Sequence, residues 1–362
     1  MEHLRGWLAA AGLIGGLAGP GAAAMADEAG PKLSGAGDFE VQNDFNFESD
    51  DPANEQNELG GVVSADLYLH LMDNFYINGG LVLEAVRDPG PKEDRVFQDH
   101  GLFVEVLTVN WENDRFGVYA GKFGPNFSMA YDAAAGLYGT DITGDDIELA
   151  EFLGAGGSIN LGEGALGATA LSASVFTADT TFLSESFITN RGRTRQAAGE
   201  PGNTESPESF ALALDGEAVP GADGLVYHIG YAHLGAEGAP SEHRFAVAGA
   251  WTFESDNGFA WTPLVEYVRF ENAGGNGAES RNYLTLSLGV EHGPWNAGLA
   301  YTGKDVNIQG AANGDTYDDQ IGVSVGYAFE NGIGLDVGYK HNRTAGIGTH
   351  TVGALLTYGI EF

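Results

Sequence analysis

The sequence predicts an all-β protein, an antiparallel transmembrane β-barrel of about 16 strands. Three observations lead to this fold class. Apolar and polar residues alternate with a period of two through most of the chain, short and long connections follow one another without a break, and the last strand ends on the aromatic residue Phe362. A membrane barrel closes its last strand against its first, so an apolar-faced strand at the end of the chain suits this fold.

The alternation is clear near both ends of the chain. Every odd position between 63 and 71, between 321 and 329 and between 333 and 339 is apolar or aromatic, and every even position between 38 and 48 is polar. Successive side chains of a strand point to opposite faces, so each of these segments has one apolar and one more polar or small face. No segment with a helical period is comparably strong, which predicts a chain made almost entirely of strands.

The connections between the strands predict how the barrel is oriented. Short turns alternate with longer segments, and the first connection is long, which is typical of a barrel with periplasmic termini, tight periplasmic turns and longer external loops. Strands near 100–111 and 258–270 have apolar residues on both faces, so their phase stays open. The strands lie near 37–48, 60–71, 75–86, 100–111, 115–123, 147–160, 166–178, 207–216, 223–234, 242–254, 258–270, 281–292, 295–303, 318–329, 332–342 and 349–362, and the longer connections are 49–59, 87–99, 124–146, 179–206, 235–241, 271–280, 304–317 and 343–348.

The start of the chain has the pattern of a secretory signal peptide. Arg5 precedes an apolar run from residue 7 to 19, and small residues follow up to Ala26. The run is shorter than the ~20 apolar residues of a spanning helix, so we predict a cleaved signal peptide over residues 1–26 and a barrel over residues 27–362. The protein is then exported through the periplasm to the cell outer membrane.

Composition excludes several classes of function. The formal net charge of −35 argues against nucleic acid as a partner, because phosphates would be repelled. The chain has no cysteine, so disulfides and thiolate metal sites are excluded. It contains 56 Gly, 20 Phe, 14 Tyr and 5 Trp, and this composition together with the acidic charge is ordinary for a barrel with a polar, water-filled interior and acidic outer loops.

Two segments carry a resemblance to a known family. The last strand resembles the C-terminal strand that serves as the assembly signal of Gram-negative outer-membrane proteins, with Phe362, Ile360 and Tyr358 on its lipid face. The segment YAGKFGPNFSMAYD from Tyr119 to Asp132, running on to Asp141, resembles the strand 5 to loop 3 region of Gram-negative porins. The resemblance implies a barrel in which the third external loop folds inward and constricts the pore.

The same resemblance implies the residues of the constriction. Loop 3 would span roughly residues 124–146, with acidic side chains at Asp132, Asp141, Asp145 and Asp146. Basic residues would face them across the pore, and the candidates are Lys122, Arg115, Lys340 and Arg269. A basic cluster in the next long loop either reaches into the mouth, binds lipopolysaccharide phosphates or is a solvated loop, and its members are Arg191, Arg193 and Arg195.

The predicted function is passive diffusion of small hydrophilic solutes and ions through a water-filled channel. A barrel of about 16 strands leaves an aqueous lumen, and the acidic charge predicts a preference for cations. The resemblance implies a homotrimer in lipid and lipopolysaccharide. Two alternatives stay open: a sugar- or oligosaccharide-selective channel, for which Tyr68 and Tyr76 lie on the lumen phase, and a plugged structural or adhesive barrel.

Catalysis and metal binding are predicted to be absent. Gly322-Val-Ser324-Val-Gly326 matches a nucleophile motif but lies within a strand, whereas that motif acts at a sharp strand-to-helix turn. His228 and His233 point to opposite faces of one strand, and His243 and His350 have no visible partner set. The acidic residues Asp141, Asp145, Asp146, Glu148 and Glu151 lack EF-hand spacing, which leaves a structural Ca²⁺ ion as a minor alternative to a charged constriction loop.

Overall fold

The fold is a closed barrel of sixteen antiparallel strands. A computed structural model describes residues 30–310 and 315–362, so the signal peptide predicted over residues 1–26 lies outside the described residues. Each strand pairs with the next along the chain, and β1 pairs with β16. The strands are β1 (Lys32–Ser49), β2 (Asn57–Met72), β3 (Phe75–Ala85), β4 (His100–Glu112), β5 (Phe116–Phe123), β6 (Phe152–Gly164), β7 (Gly167–Ala178), β8 (Ser209–Glu217), β9 (Leu225–Leu234), β10 (Glu242–Trp251), β11 (Ala260–Glu271), β12 (Glu279–His292), β13 (Trp295–Ile308), β14 (Thr316–Ala328), β15 (Ile333–Thr344) and β16 (Ile347–Glu361).

Short elements lie in the connections. Arg95–Val96 pairs in parallel with β2, and Phe253–Glu254 pairs with β11. Two single-turn helices, α1 (Ala130–Ala133) and α2 (Gly144–Ile147), lie between β5 and β6. Among the described residues, no helix is long and apolar enough to cross a membrane. The 3₁₀ turns are Pro52–Asn54, Phe182–Ser184, Gln196–Ala198 and Ala273–Gly275.

The closure of the barrel confirms the prediction for the last strand. Phe39 lies opposite Tyr358, and Gly35 and Phe362 exchange two backbone hydrogen bonds of 3.0 Å. Tyr358, Ile360 and Phe362 are all exposed on the outer surface, together with the apolar odd-numbered residues of β1. The strand pairing therefore continues to the last residue and leaves no open sheet edge there, as a lipid environment requires.

Two strands whose phase was open are now assigned. On β11, Val265 and Tyr267 are 49% and 42% exposed, whereas Leu264 and Val268 are buried, so the even-numbered residues face inward. On β4 the register shifts by one residue, which leaves Glu105 without a partner on β3. At this β-bulge the inward-facing residues change from the odd-numbered ones before it to the even-numbered ones after it. Apolar residues therefore occur at both odd and even positions of the strand.

Several predicted boundaries were wrong, and two of them have a clear local cause. Strand β6 begins at Phe152 rather than near residue 147, because residues 144–147 form α2. The last connection, predicted as a longer segment over 343–348, is a two-residue turn at Ala345 and Gly346. Both have positive φ values (51° and 81°), which is the backbone shape that matches the twist of a tight hairpin.

Candidate pore constriction

Residues 124–151, called loop 3 below, fold into the barrel and lie against its inner wall. Phe127 and Ala130 are buried, and Phe127 packs with inward-facing side chains of β7, β9 and β11. Loop 3 is longer than the predicted 124–146, since the chain re-enters the wall only at Phe152. The sequence prediction of an inward-folded third loop is therefore met by the structure.

The first part of loop 3 is anchored by buried and half-buried polar side chains. Asn126 Nδ2 donates to Asp215 at 2.8 Å, and the carbonyl oxygen of Phe127 lies 2.6 Å from His228 Nε2. His228 Nδ1 lies 2.7 Å from Asp215 Oδ1. Both ring nitrogens of His228 thus face acceptors, an arrangement that suits the doubly protonated imidazolium.

Glu266 of β11 holds the start of α1. Its side chain is 1% exposed and accepts hydrogen bonds from Ser128 Oγ at 2.8 Å, from Met129 N at 2.7 Å and from Ala130 N at 3.1 Å. A buried carboxylate with three donors is well satisfied, and it binds backbone N–H groups that have no partner within the helix. Glu266 therefore fixes the position at which loop 3 turns across the lumen.

The middle of loop 3 lies in a groove floored by glycines, called the glycine track. A Cβ atom built on Gly298 would overlap the backbone of Gly136, and one on Gly338 would lie 3.2 Å from Leu137. Gly298 therefore requires the absence of a side chain, and Gly338 leaves little room for one. The track consists of Gly289 of β12, Gly298 of β13, Gly322 of β14, Gly338 of β15 and Gly353 of β16.

Hydrogen bonds hold loop 3 on the glycine track. Ala135 N donates to Ser287 Oγ and Leu137 N donates to Ser324 Oγ, both at 3.1 Å. Gln320 Nε2 donates to the carbonyl oxygen of Tyr138 at 2.8 Å. The Gly-x-Ser-x-Gly motif of β14 therefore supplies a docking surface and a hydroxyl acceptor, which agrees with the prediction that it is not a nucleophile site.

The tip of loop 3 reaches the first strand. Tyr138 is buried, and its hydroxyl donates to Asp44 Oδ1 of β1 at 2.5 Å. Lys340 Nζ lies 4.5 Å from the centre of the Tyr138 ring, within the range of a cation–π interaction. The loop thus spans the inner wall from β8 and β9 to β16 and β1.

Two of the four predicted acidic residues form ion pairs with the wall. Asp141 Oδ2 lies 2.6 Å from Lys340 Nζ, so this predicted pair is brought together. Asp146 Oδ2 lies 2.5 Å from Lys304 Nζ, and its Oδ1 lies 3.6 Å from Arg281 Nη1. The side chain of Asp145 lies outside the described part of the structure.

Asp132 differs from the other acidic residues of loop 3. It lies in α1 beside Glu266 and is partly buried. Burial, together with the smaller effect of the Glu266 charge, raises the pKa of Asp132 from an ordinary value of 3.8 to about 6. Asp132 therefore changes charge in a range in which ordinary carboxylates stay ionised.

Sequence reasoning missed three basic residues that bind loop 3. Arg244 Nη1 donates to the carbonyl oxygen of Asp146 at 3.0 Å, and Arg281 and Lys304 bind its carboxylate. The alternation along β10 and β12 would have placed Arg244 and Arg281 on the inner face, because exposed apolar residues occupy the alternate positions of these strands. Lys304 was hidden because the sequence placed it in a loop, whereas β13 continues to Ile308.

Three of the predicted facing residues lie elsewhere, and the structure corrects them. Arg115 is exposed in the short turn before β5, at the end of the strand opposite to loop 3. Arg269 is on the outward phase of β11 with Tyr267, and its Nη1 donates to Asn282 at 3.0 Å. Lys122 is fully buried and binds Glu151 at 2.6 Å and Asp179 at 3.1 Å, so it joins loop 3 to the base of the next loop instead of facing it across the pore.

The predicted arginine cluster does not act as a unit. Arg191 binds Glu151 with both terminal nitrogens, at 2.7 and 2.5 Å, and its guanidinium lies 3.7 Å above the centre of the Phe103 ring. Arg193 is exposed and donates to the carbonyl oxygen of Thr180 at 2.8 Å, and Arg195 is exposed. Arg191 therefore reaches toward the lumen, as one alternative predicted, while the other two point to solvent.

The acidic residues considered for a structural Ca²⁺ ion have basic partners. Asp141, Asp146 and Glu151 bind basic side chains on three different parts of the wall. Within residues 30–310 and 315–362, no three His, Asp or Glu side chains are grouped to hold a metal ion. His228 faces inward and His233 stacks on Phe210 at the outer face, as the sequence predicted for this pair.

The inner wall formed by β1–β4 has a different character, and we call it the acidic wall. Asp38 and Glu40 of β1, Asp66 of β2 and Glu105 of β4 are on the inward phase, and none of them is fully buried. The Asp38 carboxylate repels both Glu40 and Asp66, and Asp66 repels Glu105. Lys32 is the only Lys or Arg in these four strands.

Aromatic side chains lie below the acidic wall, toward the short turns. The ring centres of Tyr68, His70 and Tyr76 are 5.5–6.4 Å apart, and all three are on the inward phase of β2 and β3. The Tyr76 hydroxyl donates to Glu112 at 3.3 Å. This confirms the predicted lumen phase of Tyr68 and Tyr76.

Comparisons by sequence give one limited match. A protein-family profile described as "Putative MetA-pathway of phenol degradation" matches residues 228–358, which is less than half of the chain. A comparison with curated protein sequences found no match.

Comparisons by structure cover nearly the whole chain. The outer membrane channel DcaP of Acinetobacter baumannii superposes with a TM-score of 0.59 and 13% identity, over 92% of this chain and 99% of that one. OpdL of Pseudomonas aeruginosa gives 0.54 and 12%, over 91% and 99%. The trimer form of OmpT, an outer membrane protein of Vibrio cholerae, gives 0.52 and 11%, over 91% and 100%.

Of these neighbours, DcaP is described as an outer membrane channel and OmpT as an outer membrane protein. At such low identity, they establish architecture alone. The chain has the fold of Gram-negative outer-membrane channels.

Proposed function

We propose that this protein is a diffusion channel of the outer membrane that passes small hydrophilic solutes and prefers cations. The observation that carries the proposal is the asymmetry of the lumen. Loop 3 covers the wall from β8 to β16 and uses the basic side chains there, whereas the acidic wall keeps its carboxylates close to one another.

The electrostatics of this arrangement favour cations. Lys304, Lys340 and Arg281 each lie within 4 Å of a loop 3 carboxylate, so their charge is largely cancelled at short range. The four strands of the acidic wall carry only one cation of their own, Lys32 at the start of β1. From outside these strands, Lys122 partly offsets the charge of Glu105, and Arg191 reaches Phe103 but is paired with Glu151. A solute that passes between loop 3 and the acidic wall therefore meets a negative potential.

A reversal potential tests the proposal. The purified protein is inserted into a planar bilayer with a tenfold KCl gradient, and the sign of the potential at zero current gives the preferred ion. We expect ohmic steps and a clear preference for K⁺. A preference for Cl⁻ would contradict the proposed selectivity, and the absence of any current would favour a plugged structural or adhesive barrel.

A sugar-selective channel is the second candidate. The aromatic residues Tyr68 and Tyr76 favour it, because sugars stack on lumen aromatics. Addition of maltotriose to the same bilayer distinguishes the two: saturable block of the current supports the selective channel, and unchanged current supports general diffusion.

We also propose that the channel is a homotrimer in a lipopolysaccharide-containing membrane. The likeness to the trimer form of OmpT supports the first part, and the exposed Arg193 and Arg195 are suited to bind phosphates. An unboiled sample should migrate on a denaturing gel at about three times the mass of a boiled one. Migration as a monomer after mild extraction would argue against the trimer.

A further inference from the structure

Tyr68, His70, Tyr76, Asp66 and Glu112, called the aromatic station below, form a compact group at the turn end of the acidic wall. Tyr68 and His70 are stacked with an angle of 25° between their ring planes, and Tyr76 is tilted against both. All three rings keep part of their surface exposed on the lumen side of β2 and β3. The rings therefore offer faces to a solute in the lumen.

Carboxylates surround these rings. Asp66 lies two residues before Tyr68 on the same inward face, and Glu112 accepts the hydrogen bond from Tyr76. Both carboxylates act electrostatically on the Tyr68 hydroxyl, so both lie near the aromatic group. A solute at this position contacts aromatic faces and negative charge together.

This combination selects a particular chemistry. Aromatic faces attract poorly hydrated cations such as guanidinium and quaternary ammonium groups, and nearby carboxylates increase that attraction. A small, strongly hydrated inorganic ion gains little from an aromatic face. A neutral sugar stacks on the rings but gains nothing from the two charges.

We propose that the aromatic station is a binding site for organic cations on the conduction path. The inference rests on the proposed channel function and adds a substrate class to it. It goes beyond cation preference, because a purely electrostatic lumen would pass K⁺ and organic cations according to charge and size alone.

Current block by tetraethylammonium tests the inference in wild-type channels whose KCl conductance has first been recorded. The station lies near the short turns, so we expect saturable block that is stronger from the side of the short turns than from the side of the long loops. Tyr68→Ala should raise the half-blocking concentration about threefold to tenfold, because one aromatic face is lost. Tyr68→Phe should stay within about twofold of wild type, since the ring is kept.

Matched measurements separate the outcomes. Tyr327→Ala removes an aromatic side chain from the outer face of β14 and should leave the block unchanged. Normal KCl conductance without saturable block, or equal block in Tyr68→Ala and wild type, overturns the aromatic station and leaves the channel proposal standing. Block by maltotriose but not by tetraethylammonium overturns it in favour of a sugar site, and loss of KCl conductance in wild type overturns the channel itself.

Discussion

The two sides of the barrel wall differ in what their inward faces must accommodate. From β12 to β16 the inward residues include the glycine track and hydroxyl acceptors, because a second layer of chain lies on them. From β1 to β4 the inward residues are acidic and aromatic, and they keep contact with the lumen. Inward side chains are therefore small beneath the middle of loop 3 and are acidic or aromatic on the wall that faces the lumen.

The distribution of charge follows the same division. Arg244, Arg281, Lys304 and Lys340 all lie on the side that carries loop 3, and each binds a loop 3 group. Their main effect is to hold the loop. A strongly acidic chain can thus concentrate its few cations on positioning the constriction and leave the conduction path negative.

A side chain added to the glycine track should have the largest effect on this comparison. We expect Gly298→Val to release loop 3, because the new methyl groups overlap the backbone of Gly136 and the hydrogen bonds to Ser287 and Ser324 are lost. Docking of loop 3 should become less favourable by about 3 kcal/mol. Chymotrypsin should then cleave after Leu137 or Tyr138, and the open-channel current should become noisy.

A glycine with open space provides the control for that substitution. A Cβ atom on Gly79 of β3 meets nothing within 4 Å, so Gly79→Val should leave both proteolysis and noise unchanged. If Gly298→Val resisted cleavage as well as Gly79→Val does, loop 3 would not depend on the glycine track.

Charge changes on the acidic wall should have the next largest effect. We expect the triple variant Asp38→Asn, Glu40→Gln and Asp66→Asn to lower the permeability ratio of K⁺ to Cl⁻ about threefold or more, because three carboxylates near the conduction path are removed. Reversal potentials at low ionic strength measure the ratio. Asp305→Asn on the outward phase of β13 is the control and should change the ratio little.

A substitution on the wall that carries loop 3 should change the permeability ratio in the opposite direction. Lys304→Met removes a cation from the wall that carries loop 3, so the ratio should rise rather than fall. A drop in cation preference in this variant would mean that displacement of Asp146 outweighs the lost positive charge.

The barrel could be predicted from sequence because membrane strands impose a local pattern. Alternation and loop length gave sixteen strands, and the partner of the last strand was also predicted correctly. The prediction failed where a pattern is interrupted: the extra residue Glu105 on β4 obscured the phase, and Ala345-Gly346 closed a turn that looked like part of a loop.

The constriction was less accessible to sequence reasoning, since it depends on contacts between distant residues. The acidic loop and Lys340 were identified, but nothing local distinguishes Lys304, in contact with Asp146, from Arg269, which lies on the outer face. The glycine track is likewise unreadable in one strand, because each of its members comes from a different one. Such a track appears only when neighbouring strands are placed side by side.

A change of pH should have the smallest effect and should act on the loop 3 side alone. The pKa of Asp132 is raised to about 6 by burial beside Glu266, above its ordinary value of 3.8. A raised pKa in the folded state means that the stability from the protonated group is fully present below 3.8 and is lost as pH rises through 6. Docking of loop 3 should therefore be slightly tighter at pH 5 than at pH 7.

The same titration adds one negative charge to the constriction above pH 6, so the permeability ratio of K⁺ to Cl⁻ should rise between pH 5 and 7, by about twofold or less because salt screens one charge. Asp132→Asn should reduce this rise, whereas Asp305→Asn should retain it. A rise of the same size in wild type and Asp132→Asn would mean that carboxylates of the acidic wall, rather than Asp132, cause the pH response.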